Sequence, residues 1–195
     1  MSTSSKHREP NGFSLIELLI VVAILMCIAA LALPTMWNVI SSSRSKSAMG
    51  EVIGVIQDTR SNAVRRNKTK TVHFSETGGR TWVTSTDAIA GEGAQPDKAL
   101  ALPQGMAMVT SPSGDGAPAT LDAEAMWGGG TDPVSTEPSF SPRGIPCSFS
   151  DSTKKCNAVA GFVYYFSING RWSAVGISPA GRISAFYWNG SEWRK

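Results

Sequence analysis

Histidine is nearly absent from this 195-residue chain, which has only His7 and His73. Cysteine is scarce too, limited to Cys27, Cys147 and Cys156. No Cys/His cluster has zinc spacing, and no nucleophile stands in a recognisable catalytic motif. His73, alone in a strand-like stretch, reads as an ordinary surface or packed side chain. Gly128–Gly130 lacks the preceding strand and following lysine of a phosphate loop. These shortages point away from an enzyme, and no metal or cofactor is expected. Charge is modest, at 17% of residues with a net value of +3. That excess is too small to imply a nucleic-acid partner by itself. The 42% apolar content nevertheless suits a folded protein with a core.

The charges that are present are segregated. Segment 44–70 carries Arg44, Lys46, Arg60, Arg65, Arg66, Lys68 and Lys70 against Glu51 and Asp58. The middle, 75–140, is acidic, with only Arg80 and Lys98 opposing its carboxylates, and 143–195 is again basic. Such segregation is either a solvated surface or a guide for packing between subunits. Cys27 lies in an apolar run and reads as a small hydrophobe. Cys147 and Cys156 stand nine apart in a polar stretch. In an exported domain they would pair, and in a cytosolic one they would be two free thiols. Closing so short a loop stabilises a fold by somewhat under ~3 kcal/mol in the chain-entropy account.

Charge is almost wholly missing from Phe13 to Leu33, FSLIELLIVVAILMCIAALAL, where Glu17 is the single ionisable carboxylate in 21 residues. As a helix this run spans about 31 Å, matching a hydrocarbon core of about 30 Å. A secretory signal peptide has its small-residue cleavage site after the apolar stretch. Here Gly12 precedes it, behind a short polar leader, so cleavage after Gly12 would retain the hydrophobic segment.

GFSLIE (12–17) followed by that run resembles the processing site of type IV prepilins and type II secretion pseudopilins. The resemblance implies that a prepilin peptidase cuts between Gly12 and Phe13 and that Phe13 is then N-methylated. It places Glu17 at the fifth mature position, where the family has its assembly glutamate. Pro34 falls where many pilins carry a helix-kinking proline. A carboxylate near one end of a membrane helix is costly without a partner. The amino group of a neighbouring subunit's Phe13 supplies one in a filament.

Beyond Pro34, Met36, Val39, Ile40, Met49, Val52, Ile53, Ile56, Ala63 and Val64 recur in steps of three and four, which predicts an amphipathic stem helix. Cations at its end suit the helix dipole. The Ser41–Ser43 run, Gly50 and Gly54 weaken it. Thr69–Ser75 and Thr81–Ser85 flank TGGR, a hairpin signal. GFVYYFSI, RWSAVGIS and RISAFYW, separated by NG (169–170) and SPAG (178–181), predict an antiparallel meander. The intervening 86–139, rich in Gly, Pro and Ala, reads as a flexible insertion that is mostly loop, with a short strand at 106–109.

The stretch IQDTRSNAVRRNKTKTVHF (56–74), with FSPRG (140–144) and ISPAGRIS (177–184), resembles the GspH/FimT group of minor pilins and pseudopilins. The expected fold is α+β, a long N-terminal helix packed on a C-terminal antiparallel β-sheet or sandwich. Its expected parts are a leader (1–12), a membrane and filament-core helix (13–33), a stem (34–68) and a periplasmic β-domain (69–195). The implied role is that of a minor pseudopilin of a type II secretion system, anchored once in the bacterial inner membrane and incorporated into a periplasmic or surface filament. Its partners would be other pilins, the prepilin peptidase and the inner-membrane assembly platform. The alternative is a FimT/FimU-like minor pilin binding DNA for uptake. For that role Arg182, Arg194 and Lys195 lie among Tyr187, Trp188 and Trp193. The GRxR-like motif of DNA-binding relatives is incomplete, since Ser184 replaces its second arginine.

Overall fold

The computed structural model describes residues 14–89, 95–114 and 116–195, the side chains of 31–39 and 41 excepted. The chain divides into two compact units, residues 1–41 and 42–195, and the first helix contributes to both.

Helix α1 spans Leu15–Arg66. It starts where Ser14 accepts from the N–H groups of Glu17 and Leu18 at 3.0 and 3.2 Å. It stops at Asn67, whose φ of +51° is left-handed, with Lys68 N–H returning to Ala63 O at 3.1 Å. This 6→1 bond satisfies an otherwise orphaned carbonyl, and asparagine tolerates the conformation it requires. The assignment runs unbroken through Pro34, Gly50 and Gly54. In the first unit, Leu15, Ile16, Leu18–Val22, Ile24–Met26 and Ile28 are solvent-exposed around the helix. Among the described residues no helix is long and apolar enough to cross a membrane. Phe13 and the side chains of 31–33, part of the apolar run, lie outside that description.

In the second unit α1 buries Ser45, Ala48, Met49, Val52, Val55, Ile56, Thr59 and Ala63. Met49, Val52, Ile56 and Ala63 lie in it as expected, but the stripe is rotated so that Val64 is 50% exposed and Ser45 and Thr59 lie inside. Thr59 can do so because its hydroxyl donates to Val55 O at 2.7 Å.

The β-domain has two sheets. Strands β1 (Lys70–Thr77), β2 (Arg80–Asp87), β3 (Lys98–Ala101), β5 (Ser139–Phe140), β6 (Pro146–Ser150) and β7 (Lys155–Ala158) form the first, in the order β3-β2-β1-β5-β6-β7. The second has the order β11-β10-β9-β8-β4, from β4 (Ala107–Val109), β8 (Phe162–Ile168), β9 (Arg171–Ile177), β10 (Ile183–Trp188) and β11 (Trp193–Arg194). All pairings between these strands are antiparallel. The expected hairpin and meander are present. Gly78-Gly79 and Asn169-Gly170 turn with positive φ at both positions, as two-residue hairpins with primed turns require.

Strand β8 is buried on both faces. Phe162, Tyr164, Phe166 and Ile168 join Val72, Val83, Phe140 and the α1 stripe in one core, with Phe74 4.7 Å from the Tyr164 ring. Val163 and Tyr165 face a second cluster with Leu121, Met126, Ala174 and Phe186. A strand covered twice needs a continuous apolar run, which FVYYFSI provides.

The second cover comes from 86–139, most of whose described residues are loop. Besides the strand within 106–109 it holds β3 and a short helix, α2 (Ala123–Trp127). Asp122 caps α2 by accepting from Ala125 N–H at 2.8 Å, and left-handed Gly128 ends it. The GGG run is thus a helix stop. Gly161 allows the close approach that this cover needs. At φ +124°, a Cβ there would lie 2.6 Å from Ile177 O and 2.7 Å from the Trp127 ring. We predict that Gly161→Ala lowers the stability of the full chain in detergent by about 2–4 kcal/mol, through backbone strain plus overpacking. A denaturant titration checks this; an unchanged midpoint would mean that the approach at Gly161 is not rigid.

Candidate functional site

Glu17 lies in the first turn of α1, where a carboxylate suits the positive end of the helix dipole. Its neighbours Leu15, Ile16, Leu18 and Leu19 are 61–81% exposed, so the carboxylate sits on an apolar surface that the rest of the described chain does not cover. Gly12 and Phe13 lie outside the described residues. Pro34 is within α1, but its side chain is not among those described.

The residues singled out for DNA do not form one free basic patch. Arg194 is held by Glu192, with its Nε and Nη2 donating to Oε1 at 2.9 and 2.7 Å. Lys195 Nζ donates to Met126 O at 2.9 Å and stands 5.4 Å over the Phe186 ring. Trp193 Nε1 donates to Ala119 O at 2.8 Å, and its ring packs against Tyr165 and Trp188. Arg182 is exposed and has no carboxylate partner among the described residues. Cys147 and Cys156 are joined by a disulfide between adjacent strands β6 and β7, with Cα atoms 5.3 Å apart. Cys27 is free and exposed.

Two turns of identical construction meet the stem. In Ser141-Pro-Arg-Gly144, Gly144 N–H donates to Ser141 O at 2.8 Å, Ser141 N–H to Ile145 O at 3.0 Å, and Ile145 N–H to Ser141 Oγ at 3.3 Å. Ser178-Pro-Ala-Gly181 repeats the set at 2.8, 2.9 and 3.0 Å, with Arg182 in the place of Ile145. Both glycines are left-handed, at φ +73° and +82°. One side chain then reads both turns. Arg60 Nε donates to Gly144 O at 2.8 Å and Arg60 Nη1 to Gly181 O at 2.9 Å. A Cβ on Gly181 would come within 3.0 Å of Arg60 Cζ, so the close approach requires glycine.

The prokaryotic N-terminal methylation motif matches residues 8–33. The match supports the type IV pilin and pseudopilin class, and thus a structural subunit that associates with other pilins and with a prepilin peptidase. No curated protein and no solved structure matches the chain.

Sequence reasoning missed the role of Arg60, which it counted among the cations suited to the helix dipole. The twice-occurring SPxG was the available signal. It also left open where the segregated charges go. Arg66 pairs with Asp97 at 2.9 Å, Lys68 with Asp87 at 3.3 Å, and Lys98 with Asp58 at 3.3 Å. Lys70, fully buried, binds both Asp87 and Asp97. Burial pulls the Lys70 ammonium toward a lower pKa, but hydrogen bonds and charge from the two carboxylates outweigh it and hold the group above its ordinary value. The same bond from Lys70 holds Asp87 below the usual carboxylate range. His73 Nδ1–H donates to the Glu137 carboxylate at 2.7 Å, and that bond raises the His73 pKa against the opposing effect of burial. Among the described residues no group of His, Cys, Asp and Glu has the arrangement of a metal site.

Removing Arg60 leaves two part-buried carbonyls without their charged donor. We predict that Arg60→Ala destabilises the chain by about 2–3 kcal/mol, while Arg65→Ala stays within about 0.5 kcal/mol. Urea midpoints of the two variants decide it; equal midpoints would remove Arg60 from this role.

Proposed function

We propose that the chain is a minor pseudopilin of a type II secretion system, a filament subunit that works by assembly. The observation that carries this reading is the methylation motif over 8–33, continuous with the first part of α1, whose described apolar side chains at 15–28 are exposed. In this reading a prepilin peptidase removes residues 1–12 and methylates Phe13. Residues 13–33 hold the subunit in the inner membrane and later in the filament core, with Pro34 kinking the helix where the two uses differ. Glu17 meets the Phe13 amino group of a neighbour. At ~4 Å and an effective dielectric near 20 such a pair is worth on the order of 4 kcal/mol before desolvation. A disulfide between Cys147 and Cys156 suits an oxidising periplasm. The second reading, a FimT/FimU-like minor pilin that binds DNA, draws on exposed Arg182 alone, since Arg194 and Lys195 have partners inside the chain.

Two outcomes are expected. Coexpression with a prepilin peptidase should yield an intact mass lacking residues 1–12 and carrying one added methyl; an unprocessed chain would sink the assignment. Glu17→Ala should leave cleavage intact yet lower recovery in sheared filaments at least tenfold. Incorporation at the wild-type level would refute the pairing role.

A further inference from the structure

The end of the stem carries five cations between residues 60 and 70, and four have partners within the chain. Arg60 binds two carbonyls, and Arg66, Lys68 and Lys70 bind Asp97 and Asp87. Arg65 is the exception: it is exposed and has no carboxylate among the described residues. It lines an open groove between α1 and the first SPxG turn together with Ser61, Val64 and Arg143. Arg143 is likewise exposed and unpaired among the described residues. Val64, 50% exposed, gives the groove apolar surface beside the two arginines, and Ile145, also 50% exposed, follows two residues after Arg143.

The groove is built on fixed parts. Gly144 packs against the stem closely enough that a Cβ would lie 3.1 Å from Val64 Cγ2, and its carbonyl is tied to Arg60. Three residues on, Cys147 is locked by the disulfide and by pairing with Ser139. A surface held in this way loses little freedom on binding. Arginine next to half-exposed aliphatic side chains is protein-interface chemistry. A planar guanidinium fork matches a carboxylate in two-point fashion. Nucleic acid would need a longer cationic track than two arginines flanked by aliphatic groups.

We propose that this groove docks a neighbouring filament subunit through an aspartate or glutamate of that neighbour set between apolar residues. The proposal rests on the filament reading above and adds to it which face is used and what chemistry it takes. Neither arginine has an ion pair among the described residues, and because Arg65→Glu also sets a carboxylate in the last turn of α1, the urea midpoint of the double variant is read beside the contact.

The test places the photocrosslinker p-benzoylphenylalanine at Ser61 of the full chain in native membranes, with Asn189 as the control position. Peptide mass spectrometry maps the adducts, and N-terminal processing and filament recovery are read in the same samples. Ser61 adducts should fall on one filament subunit, within a few residues of an Asp or Glu. Arg65→Glu combined with Arg143→Glu should lower their yield at least tenfold, and Arg65→Lys with Arg143→Lys should retain a substantial part of it. Adducts insensitive to charge reversal, adducts on acid-free segments, or adducts on lipid or nucleic acid would overturn the proposal. So would normal processing and filament recovery with no Ser61 adduct, which would leave the filament reading standing. Absent processing would remove the filament reading and this contact with it.

Discussion

A single guanidinium, that of Arg60, ties together parts of the chain that are otherwise far apart in sequence. It joins the stem helix to a turn 84 residues away and to another 121 residues away. Both acceptors are carbonyls of left-handed glycines, which expose their oxygens at the tip of a tight turn. The first turn leads from β5 into β6 of one sheet, and the second connects β9 and β10 of the other. A charged donor with several N–H groups in a fixed plane can hold two acceptors at once, and a lysine's point charge does so less well. The position of the helix against both sheets thus depends on a polar contact as well as on the apolar stripe beside it.

The second constraint is the burial of Lys70. Residues 70, 72 and 74 share the inward face of β1, so strand alternation alone brings an ammonium group to the edge of the core. Register places Asp87 directly across from it, and Asp97 arrives just before β3. One buried cation facing two partly exposed carboxylates would leave a net negative charge, and Lys68 and Arg66 balance it from outside. The end of the basic stem and the acidic middle are therefore matched within the chain at Asp87 and Asp97. Arg65 and Arg143 take no part in that match, and they line one groove together.

Much of the fold is legible from local chemistry. The stem's stop at Asn67, the Gly-Gly and Asn-Gly hairpins and the three aromatic strands of the meander all follow from turn residues and alternation, which act over a few positions. The segment 86–139 was not legible in the same way. Its composition of Gly, Pro and Ala looks like a loop because its order depends on Leu121 and Met126 meeting the outer face of β8, a contact set by tertiary structure. Thr59 and Ser45 were missed for a related reason. A polar residue can enter the stripe when it bonds to its own helix, and apolar periodicity does not register that. The motif at 8–33 was legible because it is a linear pattern that depends on no tertiary contact.

The two parts of α1 show opposite solutions for apolar side chains. In residues 42–66 they form a stripe that the sheets cover, with polar side chains elsewhere on the helix. In residues 15–28 they surround the helix, and nothing in the described chain covers them. A helix that is apolar all round needs an apolar environment supplied from outside itself. Lipid meets that need indifferently, but it offers nothing to a carboxylate. On the proposed filament role, Glu17 would make the two environments unequal, since a bundle of like helices can bring it a cation and hydrocarbon cannot. Under the filament reading, the residue that is costly in an anchor favours transfer of the segment into an assembly.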